Sequence, residues 1–247
     1  MDALLPDWPA PPRVRALMSL RAGGVSAPPY ASLNLGDHVG DEAAAVQGNR
    51  ALLAERLGAT PVFMQQVHGT AVERLPSPQA VPVADACMSL QPGPACTIMV
   101  ADCLPVLFCD TEGRAVAAAH AGWRGLAAGV LENTMASLRT AVPKAQWLAW
   151  LGPCIGPTAF EVGDEVRAAF LAQSAAAADC FRAHTAGKWL ADLPALARLR
   201  LAALDLHGIH GNDSSAPWCT VSDASRFFSH RRDRVSGRMA ACIWLAG

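Results

Sequence analysis

The sequence predicts a single domain built on a mixed β-sheet with helices along its flanks. Short apolar runs of strand length, at 62–67, 96–101, 116–119 and 147–151, stop at turn or polar residues. Segments of helical periodicity fall at 42–57, 126–138, 162–173 and 193–206. At 247 residues and 52% hydrophobic, the chain can bury a full core, which favours one large domain, 1–247, over two small ones.

The elements follow in order. Val14 to Leu20 form a first strand, and the loop 21–26 carries two glycines where backbone could turn or approach a ligand closely. Asp41 is placed to cap the helix 42–57, which Gly58 closes. Arg50 lies within that helix, as a solvated charge or an anion ligand. The run 62–69 is a strand entering a turn, with His68 at its end. A proline-rich link at 76–82 precedes a strand at 83–90 that contains Asp85. The run 96–101 ends at Asp102 and Cys103, and Pro105 opens the next strand, where a missing N–H is tolerated. Val116 to Ala119 lead to His120, and the glycines at 122 and 125 mark a turn before the helix 126–138. A strand at 147–151, a rigid turn at 152–157 and two helices at 162–173 and 193–206 supply walls. Residues 227–245 complete the chain as a hairpin whose closing strand is apolar enough to be central.

Composition narrows the function classes. Net charge is −1 with acids and bases interspersed, which gives no electrostatic case for nucleic acid or a membrane surface. No apolar run reaches the length of a membrane span, and the N-terminal segment, acidic and proline-rich, is unlike a secretory signal, so a cytoplasmic protein is expected. The eight cysteines contain no CxxC spacing and should stay reduced. The two lysines make a Schiff-base mechanism a poor fit. A small-molecule substrate is the default.

His68, Cys103 and His120 each end an apolar run at a polar atom, where a mixed sheet gathers functional side chains along one rim. Two imidazoles and a thiolate suit zinc, which in catalytic sites commonly keeps three protein ligands and one open position. Cys103 and His120 could instead form a nucleophile pair, or all three residues could be packing. Arg124, beyond the glycine turn, and Arg231, in the polar knot 231–233, are candidate ligands for an anionic co-substrate, with a salt-bridged turn as the alternative for the knot. Asp85 and Asp102 could fix the tautomer of a ligand histidine or cap turns.

Six blocks then carry a resemblance: SLNLGDHVGD, QQVHGTAVERL, TIMVADCLPVLFCD, AAAHAGWRGLAAGVLE, WLGPCIGPTAFEVGDEV and FFSHRRDRVSGRMAACIWL. Nearly end to end, the chain resembles the YfiH family, formerly labelled polyphenol oxidases or laccase-domain proteins. The resemblance implies a single α+β domain with mixed β-sheets and flanking helices. It implies a bacterial, cytoplasmic purine nucleoside phosphorylase acting on adenosine, inosine, guanosine and methylthioadenosine with inorganic phosphate, and deaminating adenosine. Its zinc ligands would be His68, Cys103 and His120. Departures at Val83, before Ala84-Asp85-Ala86, and at His230, where tyrosine is frequent, bear on substrate contacts and not on the metal. Two other classes remain open. One is a Cys–His hydrolase or amidase acting on a peptidoglycan precursor, and the other is a non-catalytic zinc or nucleotide module closed by a fourth ligand such as Cys154 or His230. The oxidase label fits less well, since coupled copper needs many imidazoles and His38, His184, His207 and His210 share no strand-end pattern.

Overall fold

Apolar runs pair across long sequence separations in the computed structural model, which describes residues Met1–Gly247. A five-stranded sheet has the order β1 (Ala3–Leu4), β2 (Val14–Ser19), β14 (Met239–Leu245), β6 (Pro94–Val100), β3 (Thr60–Val62). A six-stranded sheet has the order β13 (Gly208–Gly211), β9 (Trp147–Leu151), β7 (Leu104–Asp110), β8 (Val116–Ala121), β5 (Ala86–Ser89), β4 (Val72–Leu75). A small third sheet joins β10 (Glu161–Gly163), β12 (Lys188–Ala191) and β11 (Phe181–Ala183). The pairs β3–β6, β4–β5 and β9–β13 are parallel and their neighbours antiparallel, so both large sheets are mixed.

Period-two alternation sorts the side chains into layers. In β7, Leu104, Val106 and Phe108 face a core shared with the helices α2 (Trp123–Ala128), α3 (Val130–Ala141), α4 (Asp164–Leu171) and α5 (Leu193–Ala202). Leu107 and Cys109 face the other way, into a core shared with Met18, Ile98 and Ala241 of the five-stranded sheet. The outer face of that sheet packs Leu17 and Cys242 against Leu53 and Leu57 of α1 (Ala43–Leu57). The result is two sheets face to face with helices outside both. Trp147 and Trp150, on opposite faces of β9, are fully buried in the two cores, and truncating either costs about 3–5 kcal/mol.

In β8, Ala117, Ala119 and Ala121 face the helices, while Val116 and Ala118 face the other sheet. His120 shares the parity of 116 and 118. It therefore points into the inter-sheet layer at its end.

Several elements depart from the sequence-based expectations. The helix expected at 126–138 is two helices, α2 and α3, because Gly129 adopts φ 102° and breaks the ladder. The region 227–245 is no hairpin: His230–Asp233 form a one-turn helix, α6, in which the Ser229 hydroxyl accepts the Arg232 N–H. The guanidinium of Arg232 donates to the carbonyls of Thr220, Val221 and Phe227, which fixes that turn. β14 is central, as its apolar sequence predicts, but it pairs with β2 and β6. Asp41 does not cap α1, since its Oδ2 accepts from Ser26 and Asn34; the first turn opens after Glu42 instead. The strand expected at 62–69 is regular only over Thr60–Val62.

A candidate metal centre where the chain crosses between sheets

The register of β8 with its two neighbours builds the site. In the β7–β8 ladder Leu104 pairs with Ala121, so one step further Cys103 faces Gly122. In the β5–β8 ladder Ala86 pairs with Ala119, so one step further Asp85 faces His120. The His120 N–H donates to the Asp85 carbonyl at 2.7 Å, and the side chains meet as well, with His120 Nδ1 2.8 Å from Asp85 Oδ1. Cys103 lies in the crossing from β6 in one sheet to β7 in the other, and His68 in the crossing from β3 to β4. The three residues therefore do not share the rim of one sheet. They gather where two connections pass from sheet to sheet over the end of β8.

Asp85 organises both histidines. It is fully buried, and its carboxylate accepts the consecutive N–H groups of Val67, His68 and Gly69 at 3.1, 2.9 and 2.7 Å. That nest holds His68 at φ 60°, a left-handed conformation that costs a non-glycine residue about 1–3 kcal/mol. Burial raises the Asp85 pKa, but the bond to His120 and the backbone N–H groups outweigh it and hold the carboxyl below its ordinary value. With Nδ1 engaged by Asp85, His120 presents Nε2 to the cluster.

The donor set fits a tetrahedral metal ion. The ligand atoms of His68, Cys103 and His120 all lie within 4.8 Å of one another. Cys103 Sγ is 3.7 Å from His68 Nε2, and two ligands on one tetrahedral zinc would stand about 3.6 Å apart. Burial opposes ionisation of the Cys103 thiol, yet the imidazoles of His120 and His68 bring it down to about 6. Burial likewise disfavours the charged form of His120, and the Cys103 thiolate and Asp85 raise it to about 9. Gly122 has to be glycine here. A Cβ would stand 2.7 Å from His68 Cδ2 and 3.0 Å from Cys103 Sγ.

Two cavities meet at Cys103 and His230. One, of about 210 Å³, is walled by Trp123, Ile155, Phe160 and Leu193, with Arg231 at its edge. The other, of about 330 Å³, contains His38, His68, His120 and Arg238. The remaining candidates scatter. Arg124 is exposed with its guanidinium 4.5 Å over the Trp123 ring. Arg50 binds the Leu35 carbonyl and Asp37 and covers the Phe63 ring, lining neither cavity. Asp102, at φ 86°, does not hydrogen-bond to a ligand histidine; it accepts from the Thr220 hydroxyl and the Arg231 N–H, tying α6 to the crossing that carries Cys103. Cys154 stands apart from the ligand cluster, its thiol turned to the Ile155 carbonyl. Sequence reasoning missed Arg238, whose one signal is that it opens an apolar strand, and set His38 aside for want of a strand-end pattern.

Residues 15–246 match the family model described as multi-copper polyphenol oxidoreductase laccase. The chain belongs to this laccase-domain family. Among its members, the Pseudomonas aeruginosa protein named purine nucleoside phosphorylase PA4543 is 54% identical over 243 residues, 98% of each chain. The Escherichia coli protein named purine nucleoside phosphorylase YfiH is 52% identical over 245 residues, again 98% of each. The crystal structure of Neisseria meningitidis protein NMB0706 matches the whole of both chains with a TM-score of 0.93 at 47% identity. The α+β fold with mixed sheets is thus that of the laccase-domain family, and the His68–Cys103–His120 group is a site that could hold a metal within it. No helix is long and apolar enough to cross a membrane.

Proposed function

We propose that the protein is a zinc-dependent purine nucleoside phosphorylase, which transfers the ribosyl group of adenosine, inosine, guanosine or methylthioadenosine to inorganic phosphate. The observation that carries this is a three-donor group, His68, Cys103 and His120, opening into a cleft, in a chain whose relatives bear that enzyme's name. Zinc held by these three residues would supply Lewis acidity to a substrate oxygen.

The chain's own residues divide the remaining work. Trp123, Ile155 and Phe160 offer a purine ring an apolar slot, and Arg231 closes its edge with its guanidinium held by the Glu161 carbonyl. The histidine-lined cavity takes ribose and phosphate, so that C1′ comes to rest near Cys103, where the lobes meet. A phosphate oxygen forms the bond to C1′ as the C1′–N9 bond breaks and its electron pair leaves with the base. Asp85 keeps His68 and His120 oriented throughout. Arg124 contributes positive charge at the rim, and Arg50 stiffens the segment at 35–37. Deamination of adenosine belongs to the same reading, with water forming the bond to purine C6 as the C6–N bond of the amino group breaks and ammonia leaves.

Zinc content per chain, measured with inosine and adenosine turnover in the presence and absence of phosphate, tests this. About one zinc per chain with phosphate-dependent release of free base is the expected result. A second reading rests on the metal-free thiol at about 6 beside an imidazole at about 9, the ion pair of a Cys–His hydrolase or amidase acting on a peptidoglycan precursor. Metal-free protein with an essential, alkylatable Cys103 would favour it. Zinc and nucleoside binding without turnover would indicate a binding module.

A further inference from the structure

We propose that Arg238 is the anchor of the phosphate group in the histidine-lined cavity, a role that rests on the phosphorylase reading of that cleft. The backbone fixes this arginine from both sides. Its N–H donates to Asn34 Oδ1 at 2.8 Å and its carbonyl accepts the Leu35 N–H at 3.0 Å. The side-chain stem lies so close against the 34–36 loop that a Cβ on Gly36 would come within 2.8 Å of Arg238 Cγ.

The guanidinium is committed on one side only. Nη1 donates to the carbonyls of Ser236 and Gly237 at 2.8 and 3.1 Å. Nε and Nη2, the edge that grips an oxyanion with two parallel bonds, have no partner in the protein. No carboxylate pairs with Arg238, and none lines the cavity that it enters with His38, His68, His120 and His230. Burial lowers its pKa, and the nearby Cys103, Asp102 and Tyr30 offset that only in part. The other candidate arginines differ. Arg50 already has Asp37, Arg124 stacks on Trp123 outside the cavities, and Arg231, whose Nη1 likewise donates to two carbonyls, those of Ala159 and Glu161, lines the apolar cavity and not the one that holds the histidines. A dianion with tetrahedral oxygens, either inorganic phosphate or the monoester of a purine nucleotide, satisfies the free edge of Arg238 beside the ligand cluster.

The test uses the zinc-loaded full chain at constant ionic strength. Inorganic phosphate and a purine nucleoside 5′-monophosphate are titrated calorimetrically into wild type, Arg238→Gln and Arg238→Lys. The expected result is phosphate affinity at least tenfold weaker in Arg238→Gln, an intermediate loss in Arg238→Lys, and unchanged zinc content. In turnover, the phosphate KM should rise by a similar factor with the nucleoside KM nearly constant. Phosphate affinity within twofold of wild type in a zinc-retaining Arg238→Gln, or no phosphate binding by wild type, overturns the proposal. A preference of at least tenfold for the monophosphate identifies the nucleotide as the source of the anion. Should Arg238→Gln not fold, hydrogen exchange of the wild type decides, because phosphate must protect amides at 34–38 and 236–239, and protection confined elsewhere overturns the assignment. Arg238-dependent phosphate binding without nucleoside cleavage would retain the anion site and reject the phosphorylase reading alone.

Discussion

Replacing Asp85 by asparagine should weaken the metal centre through groups that never touch the metal. In the native site Oδ2 accepts from Val67 and Gly69, and Oδ1 from His68 and His120. An amide keeps one oxygen and turns the other into a donor, so in either orientation two of these N–H groups lose their acceptor. At about 1–3 kcal/mol per unsatisfied buried group, the loss is about 2–6 kcal/mol. His120 can relieve part of it by moving its proton from Nδ1 to Nε2, but that removes the lone pair a metal needs. Zinc affinity should therefore fall by about 10–100-fold, as for other outer partners of ligand histidines. A competition titration against a chromophoric chelator measures the affinity, and urea unfolding of metal-free protein measures the stability. The sign with pH follows from the depressed carboxyl. Its contribution is full above the unfolded carboxylate value of about 3.9 and is lost as pH falls through the lower folded value, so wild type and Asp85→Asn should converge in acid. Equal zinc affinity and equal urea midpoints at neutral pH would refute the reasoning.

Further outcomes are expected at neighbouring positions. In metal-free protein, Cys103 should react with iodoacetamide along a pH curve centred near 6, while Cys96, Cys109, Cys154, Cys180 and Cys242, all shifted upward, stay inert at neutral pH; peptide mapping checks the site, and zinc should block the reaction. The thiolate's partner His120, raised to about 9, gives its stabilisation fully below the unfolded value of about 6.5, and that stabilisation should fade as pH climbs through 9 in metal-free protein. Gly122→Ala should lower zinc content without unfolding the chain, since the new methyl displaces His68 and Cys103 rather than the core; a variant with wild-type zinc content would contradict the crowding. Cys103→Ala should lose zinc and nucleoside cleavage together with its circular dichroism intact, and retained turnover would count against the centre.

Much of this was legible in the residues. The strand-length runs at 96–101 and 147–151, the break after Leu57 at Gly58 and the centrality of the last strand follow from local side-chain chemistry. So does the choice of His68, Cys103 and His120, because a polar atom that ends an apolar run is visible without any partner. What stayed hidden was pairing. The two-helix split at Gly129 depends on a backbone conformation that glycine permits but does not require. The one-turn helix at 230–233 depends on carbonyls of Thr220, Val221 and Phe227 that its own residues do not specify.

The site shows the same division. Side-chain types alone pointed to two imidazoles and a thiol at the ends of apolar runs and to a donor set that suits zinc. Tertiary structure decided that Asp85, not Asp102, orients the histidines, because the β5–β8 register puts residue 85 opposite residue 120. It also decided that Arg238 enters the cavity while Arg50 does not, since β14 docks in the centre of its sheet and α1 packs on that sheet's outer face. Register and layer are set by contacts between residues far apart in sequence, and no local pattern encodes them.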